Sequence, residues 1–164
     1  MIRNEGSKDW LAHLPPRPGT YALVLRVSGR PEIVVGGLGL LVVQPVFYVY
    51  VGSAFGPGGV GKRVGRHAGT DKKRRWHIDY LAAIATLEEV WYTVDSAHRE
   101  CLWANTFKQM RGATVPLEGF GSSDCRCPSH LFFFQKRPSL RAFGQRLKSS
   151  IQGHGPIRSV RPDG

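Results

Sequence analysis

The sequence predicts an α+β domain in which a small antiparallel sheet is flanked by helices. Three observations carry that expectation. Aromatic and β-branched runs at 19–27, 46–51, 88–94 and 131–134 are each bounded by turn-forming residues, as strands are. Between and after them, apolar residues recur at three- and four-residue spacing at 59–68, 96–110 and from Pro138 onward, the period of amphipathic helices. The chain has 164 residues with 41% hydrophobic content, enough for one domain with a core of its own.

Taken in order, residues 1–16 read as a weakly ordered leader, with Trp10 and Leu14 available to dock it. It runs into Pro15-Pro16-Arg17-Pro18, which cannot continue a helix. The main domain is expected at 17–136. Gly19 opens a strand in which both alternating sets, Tyr21, Leu23, Leu25 and Ala22, Val24, are apolar, so both faces should be covered. A short strand at 32–35 and the run at 46–51 follow, the latter stopping at a Gly52-Ser53 turn. A helix is expected at 59–68, a basic loop at 70–75, and a short helix at 76–85 with Ile78, Leu81 and Ile84 on one side. Ser96 is placed to cap a helix that Gly112 ends. The long loop 112–129 suggests function rather than filler. Residues 137–164 form a basic C-terminal helix and tail, with disorder expected from Gln152.

The charge is strongly one-sided. Net charge +11 and a pI near 10.1 favour a polyanionic partner, nucleic acid first. The basic residues gather in two segments. One holds Lys62, Arg63, Arg66, Lys72, Lys73, Arg74 and Arg75; the other holds Lys136, Arg137, Arg141, Arg146, Lys148, Arg158 and Arg161. A solvated basic surface is the alternative. Residues 33–51 carry no charge but are broken by three glycines and Gln44-Pro45, which fits strands and a turn better than a membrane span. Three cysteines without an N-terminal hydrophobic segment point to a reduced, cytoplasmic setting.

The chain is organised around Phe47–Ala54 and Val60–His67. A strand carries Tyr50, and the helix after it puts Arg63 and His67 four residues apart on one face. A phenol, a guanidinium and an imidazole suit phosphate chemistry. Gly19-Thr20-Tyr21 and Tyr50-Val51-Gly52, in that order with Arg63 and His67, resemble the two half-motifs and helical residues of the GIY-YIG nuclease superfamily. The runs Trp76–Leu81 and Gly119–Leu131 make the Uri-type endonuclease-like branch the best match, over roughly 17–134. The resemblance implies a small three-stranded antiparallel sheet flanked by helices and metal-dependent hydrolysis of DNA phosphodiesters. It implies Tyr50 as the base, Arg63 on the scissile phosphate and Glu100 as the ligand of one Mg2+ or Mn2+. Tyr21 would support the water or the metal, and His67 would bind phosphate or relay protons. Lys62, Arg66, Lys72, Lys73, Arg74, Arg75, Trp76 and His77 are the expected nucleic-acid contacts, with DNA the first choice of partner and RNA left open.

Each residue also has a plainer reading. Tyr21 and Tyr50 would be packing aromatics, Arg63 a nonspecific phosphate contact, and His67 a cap. Glu100 stands where the apolar face Trp103, Ala104, Phe107, Met110 would want an apolar group, so it is either metal-bound or paired with an arginine of the 59–68 helix. Cys125, Cys127 and His130 suggest zinc, but the C-x-C spacing is tight and only Cys101 and His77 offer a fourth ligand; a structural loop with buried thiols is preferred. Thr20 and Val51 replace isoleucines of the motifs. The asparagine that many members carry after the metal glutamate has no counterpart at Arg111-Gly112, with Ser122, Ser123 and Asp124 the polar residues offered instead. The alternative function is therefore a non-catalytic nucleic-acid-binding module that keeps the fold.

Overall fold

A computed structural model of the chain describes residues 8–69, 74–123 and 125–162. Its centre is β1 (Gly19–Arg26), buried at seven successive positions because an antiparallel strand lies on each side and apolar layers cover both faces. On one side lies β4 (Phe47–Ala54), and beyond it β6 (Leu131–Phe134). On the other side lies β5 (Thr86–Val94), and beyond it β7 (Arg158–Val160). The sheet is therefore five-stranded and antiparallel, in the order β6-β4-β1-β5-β7, rather than the small three-stranded sheet expected. A separate hairpin joins β2 (Glu32–Val34) to β3 (Leu40–Val42), a strand absent from the sequence reading.

The two faces carry different helices. Tyr21, Leu23, Leu25, Tyr48 and Tyr50 pack with Val60 and Val64 of α1 (Gly59–Ala68) and Ile78 and Leu81 of α2 (His77–Ala82). Ala22, Val24, Val49, Val51 and Trp91 pack with Trp103 and Phe107 of α3 (Glu100–Gln109) and Phe143 and Leu147 of α4 (Leu140–Ser150). The expected docking of Trp10 and Leu14 is present, both buried in the first layer. Among the described residues, no helix is long and apolar enough to cross a membrane.

Three of the boundaries that differ from expectation have a local reason. The strand does not stop at Gly52-Ser53 but runs to Ala54, because Gly52 pairs with Tyr21 and Ser53 with Thr20. Ser96 does not cap α3. Asp95 accepts from the Ala97 amide at 2.9 Å and from Arg99 Nε at 3.0 Å, forming a side-chain turn that delays the helix to Glu100. The tail past Gln152 is tied down rather than disordered through the described residues up to 162. Thr93 Oγ1 donates to the Pro156 carbonyl, Trp103 Nε1 donates to His154 Nε2 at 3.0 Å, and Arg161 reaches buried Glu89 at 3.1 Å. A three-residue edge strand of Arg-Ser-Val has no alternation from which to recognise it.

Candidate functional site

The antiparallel pairing of β1 and β4 sets Tyr21 against Gly52 on the neighbouring strand. A Cβ at Gly52 would lie 2.4 Å from Tyr21 Cζ, so only glycine lets that ring cross its neighbour. Two residues back along β4, Tyr50 emerges on the same face. Across it, a Cβ at Gly121 would stand 2.9 Å from the ring, and Gly121 also has a φ of +70°. The two glycines thus fix both phenols at one end of the sheet.

α1 then supplies the basic groups. Val60 and Val64 turn inward, which carries Arg63 to the cleft and His67 beneath it. His67 is buried, with Nε2 2.7 Å from the Tyr21 hydroxyl and its ring 6.1 Å from that of Tyr50. Trp76 lies under two guanidinium groups, with Arg63 Cζ 4.5 Å and Arg66 Cζ 3.8 Å from its ring centre. From the opposite helix layer, the first residue of α3 brings Glu100 to the same opening. The result is a cleft of about 260 Å³ lined by Tyr21, Tyr50, Ser53, Arg63, Arg75, Trp76, His77, Glu100, Gly121, Ser123 and His130.

Burial dominates the electrostatics. It pushes Tyr50 well up, reinforced by Glu100 and opposed by Arg63. Tyr21 is also raised well above the ordinary phenol range, by burial and then by Tyr50, with Arg63 pulling the other way. Both phenols therefore keep their protons at neutral pH. For Glu100, burial opposes ionisation, but hydrogen bonds from His130 and Ser53, together with the His130 and Arg63 charges, hold its pKa below the usual value. Its close partner is His130 Nδ1, 2.7 Å from Oε1, rather than an arginine of α1.

The expected nucleic-acid contacts are divided. Arg75, Trp76 and His77 line the cleft; His77 Nδ1 accepts from the Gly121 amide at 2.8 Å, and burial lowers its pKa. Arg66 grips Asp79 through two bonds of 3.0 and 2.9 Å, which commits it to joining α1 to α2. Asp79 also accepts from the Arg75 and Trp76 amides, so although burial opposes its charge these donors bring its pKa to about 2. Lys62 is exposed on α1, outside the cleft, and Arg74 is exposed beside the Tyr80 ring. Lys72 and Lys73 lie outside the described residues, as does Asp124, while Ser123 lines the cleft. Ser53, Gly121 and the Glu100 contact of His130 were not assigned to the site from sequence. The Gly119–Leu131 run pointed toward Gly121 and His130, and the Phe47–Ala54 run toward Ser53.

Fold and cleft together define an α+β protein with paired tyrosines, an imidazole, a guanidinium and a carboxylate gathered at one end of its central sheet. The chain belongs to the family described as Domain of unknown function DUF123, which matches residues 20–152. That match spans the sheet from β1 to β6 together with all four helices. Among curated proteins and among solved structures, no match is found.

Proposed function

We propose that this protein is a metal-dependent DNA endonuclease of the GIY-YIG type. The observation that carries this reading is the convergence of Tyr21, Tyr50, Arg63 and Glu100 on one cleft from four separate elements. Phosphodiester hydrolysis needs a positioned water, a proton acceptor and positive charge for the transition state. Arg63 supplies a fixed positive charge for a phosphate. Its guanidinium is pre-placed by stacking on Trp76 and so loses little freedom on binding.

The phenols are the basic partners. A raised phenol pKa makes Tyr50 a strong base once ionised, and Arg63 is the nearby charge that favours the ionised form. His67 is buried, so its hydrogen bond to Tyr21 supports proton relay over direct contact with phosphate. Glu100 fits a hard divalent cation. It is partly buried, its pKa is depressed, and one oxygen is oriented by His130. Magnesium takes one or two carboxylates and completes its shell with water and phosphate. When bound, Mg2+ or Mn2+ stabilises the charge on the departing oxygen.

A second reading is a nucleic-acid-binding module without catalysis. It draws on both phenols being held protonated and on a Glu100 oxygen being committed to His130. The deciding experiment incubates the purified protein with branched, nicked, single- and double-stranded DNA, with and without magnesium or manganese. Metal-dependent cleavage that disappears in Arg63→Ala supports the nuclease. Salt-sensitive binding without cleavage supports the module.

A further inference from the structure

A second group of side chains, which shares Cys125 and His130 with the wall of the cleft, has no assigned part in the phosphate chemistry proposed above. Cys101 is the second residue of α3, directly after Glu100, while Cys125, Cys127 and His130 come from the loop that enters β6. One donor atom from each of the four lies within 4.8 Å of the other three. Two chain segments 24 residues or more apart in sequence thus deliver three thiols and an imidazole to one point. We propose that Cys101, Cys125, Cys127 and His130 bind a single structural Zn2+ ion.

The donor set argues for zinc. Three thiolates and one imidazole are a standard closed tetrahedral set, and soft sulfur excludes magnesium or calcium as the natural occupant. With Zn–S bonds of about 2.3 Å, tetrahedral geometry puts ligand atoms about 3.8 Å apart. The observed limit of 4.8 Å requires only a small contraction. Cys125 Sγ is already 3.3 Å from His130 Nε2.

The strongest support is the orientation of the histidine. Nδ1 of His130 lies 2.7 Å from a carboxylate oxygen of Glu100, which fixes the orientation of the ring. The other ring nitrogen, Nε2, is the atom that faces Cys125. A carboxylate holding one imidazole nitrogen while the other faces a ligand cluster is the usual arrangement behind a metal-bound histidine. Binding would release the thiol protons to solvent and cross-link α3 to the loop before β6. The same carboxylate also faces the cleft, so the ion would hold Glu100 in position without belonging to the reacting atoms. The assignment does not depend on the cleft being catalytic.

The test uses the full chain, purified under reducing conditions without added metal. Elemental analysis should find one zinc per chain in the parent and in Arg63→Ala. Cobalt added to the metal-stripped parent should give the intense visible bands of a tetrahedral site with sulfur-to-metal charge transfer. Cys125→Ser and Cys127→Ser should lose the zinc. If they fail to fold, the cobalt spectrum of the parent decides. Glu100→Gln should keep the stoichiometry but weaken zinc affinity by about 10–100-fold. A parent that holds no zinc and gives no cobalt–thiolate spectrum would overturn the site. So would a disulfide among the three cysteines in reduced protein, or a folded Cys101→Ser variant with undiminished zinc affinity.

Discussion

The Tyr21 hydroxyl lies 2.7 Å from Nε2 of His67, joining the central strand to α1 across 46 positions of sequence. Both residues are buried, so the bond is shielded from water. It makes β1 and α1 one unit and leaves Arg63, one helical turn before His67, at the surface of that unit. Tyr21→Phe should therefore cost about 1–3 kcal/mol of stability, the range for stranding one buried polar partner. Denaturant unfolding measures this. A variant as stable as the parent would show that the hydroxyl contributes nothing to the native state.

Activity should depend on Arg63 and Glu100 through charge. Glu100→Gln keeps shape and removes the negative charge, so cleavage should fall by about 100-fold or more. DNA affinity measured without metal should hold or rise slightly. Arg63→Ala should lower both cleavage and binding. A Glu100→Gln protein that cuts like the parent in metal-defined buffer would place the activity elsewhere.

Asp79 ties acid stability to the joint between α1 and α2. Its folded pKa, near 2, lies below the ordinary aspartate value near 3.8. The stabilisation is thus complete above about pH 4 and is lost as pH falls through about 2, amounting to about 2 kcal/mol. Asp79→Asn should be less stable than the parent at pH 7 by at least this amount. The gap should narrow on acidification. Parallel stability curves from pH 6 to pH 2 would contradict the linkage.

Gly52 tests how tightly the phenols are placed. In Gly52→Ala the new methyl must displace the Tyr21 ring, because the site of its Cβ is 2.4 Å from Tyr21 Cζ. A destabilisation of about 1–3 kcal/mol is expected for overpacking of this kind. Cleavage should fall further than the reduced amount of folded protein explains. Wild-type stability with wild-type activity would mean that the ring has room to move.

The basic residues at 72–75 are tested by binding. Reversing the charge of Lys72, Lys73, Arg74 and Arg75 should weaken binding to all DNA sequences alike. The logarithmic salt dependence should flatten by up to about 0.9 for each duplex phosphate that is no longer neutralised. An unchanged affinity at low salt would show that these charges meet only solvent.

The sequence alone was enough for the parts that rest on local pattern. The double apolar alternation of β1 announces a strand covered on both faces, and that is where β1 lies. Val60 and Val64 mark the buried side of α1 and thereby fix the phase of Arg63 and His67. Trp103, Ala104 and Phe107 do the same for α3 and leave Glu100 at its open end. These are periodicities of a single segment, legible without knowing what the segment touches.

What tertiary structure alone decided are the pairings between distant segments. No periodicity says that β7 will close the sheet against β5, because an exposed edge strand of three residues takes its pairing from the partner's unpaired backbone groups. No spacing gives Glu100 to His130 rather than to an arginine of α1. That choice depends on where the loop after residue 112 re-enters the sheet as β6. Arg66 reads as a phosphate ligand in the basic segment, and only the packing of α2 sets a buried carboxylate opposite it. Likewise, Cys101 joins Cys125, Cys127 and His130 only because α3 begins at Glu100, which sets its first turn against that loop. The physical reason is common to all four: each contact joins segments far apart in sequence, and which groups come within reach of one another is a property of the packed chain.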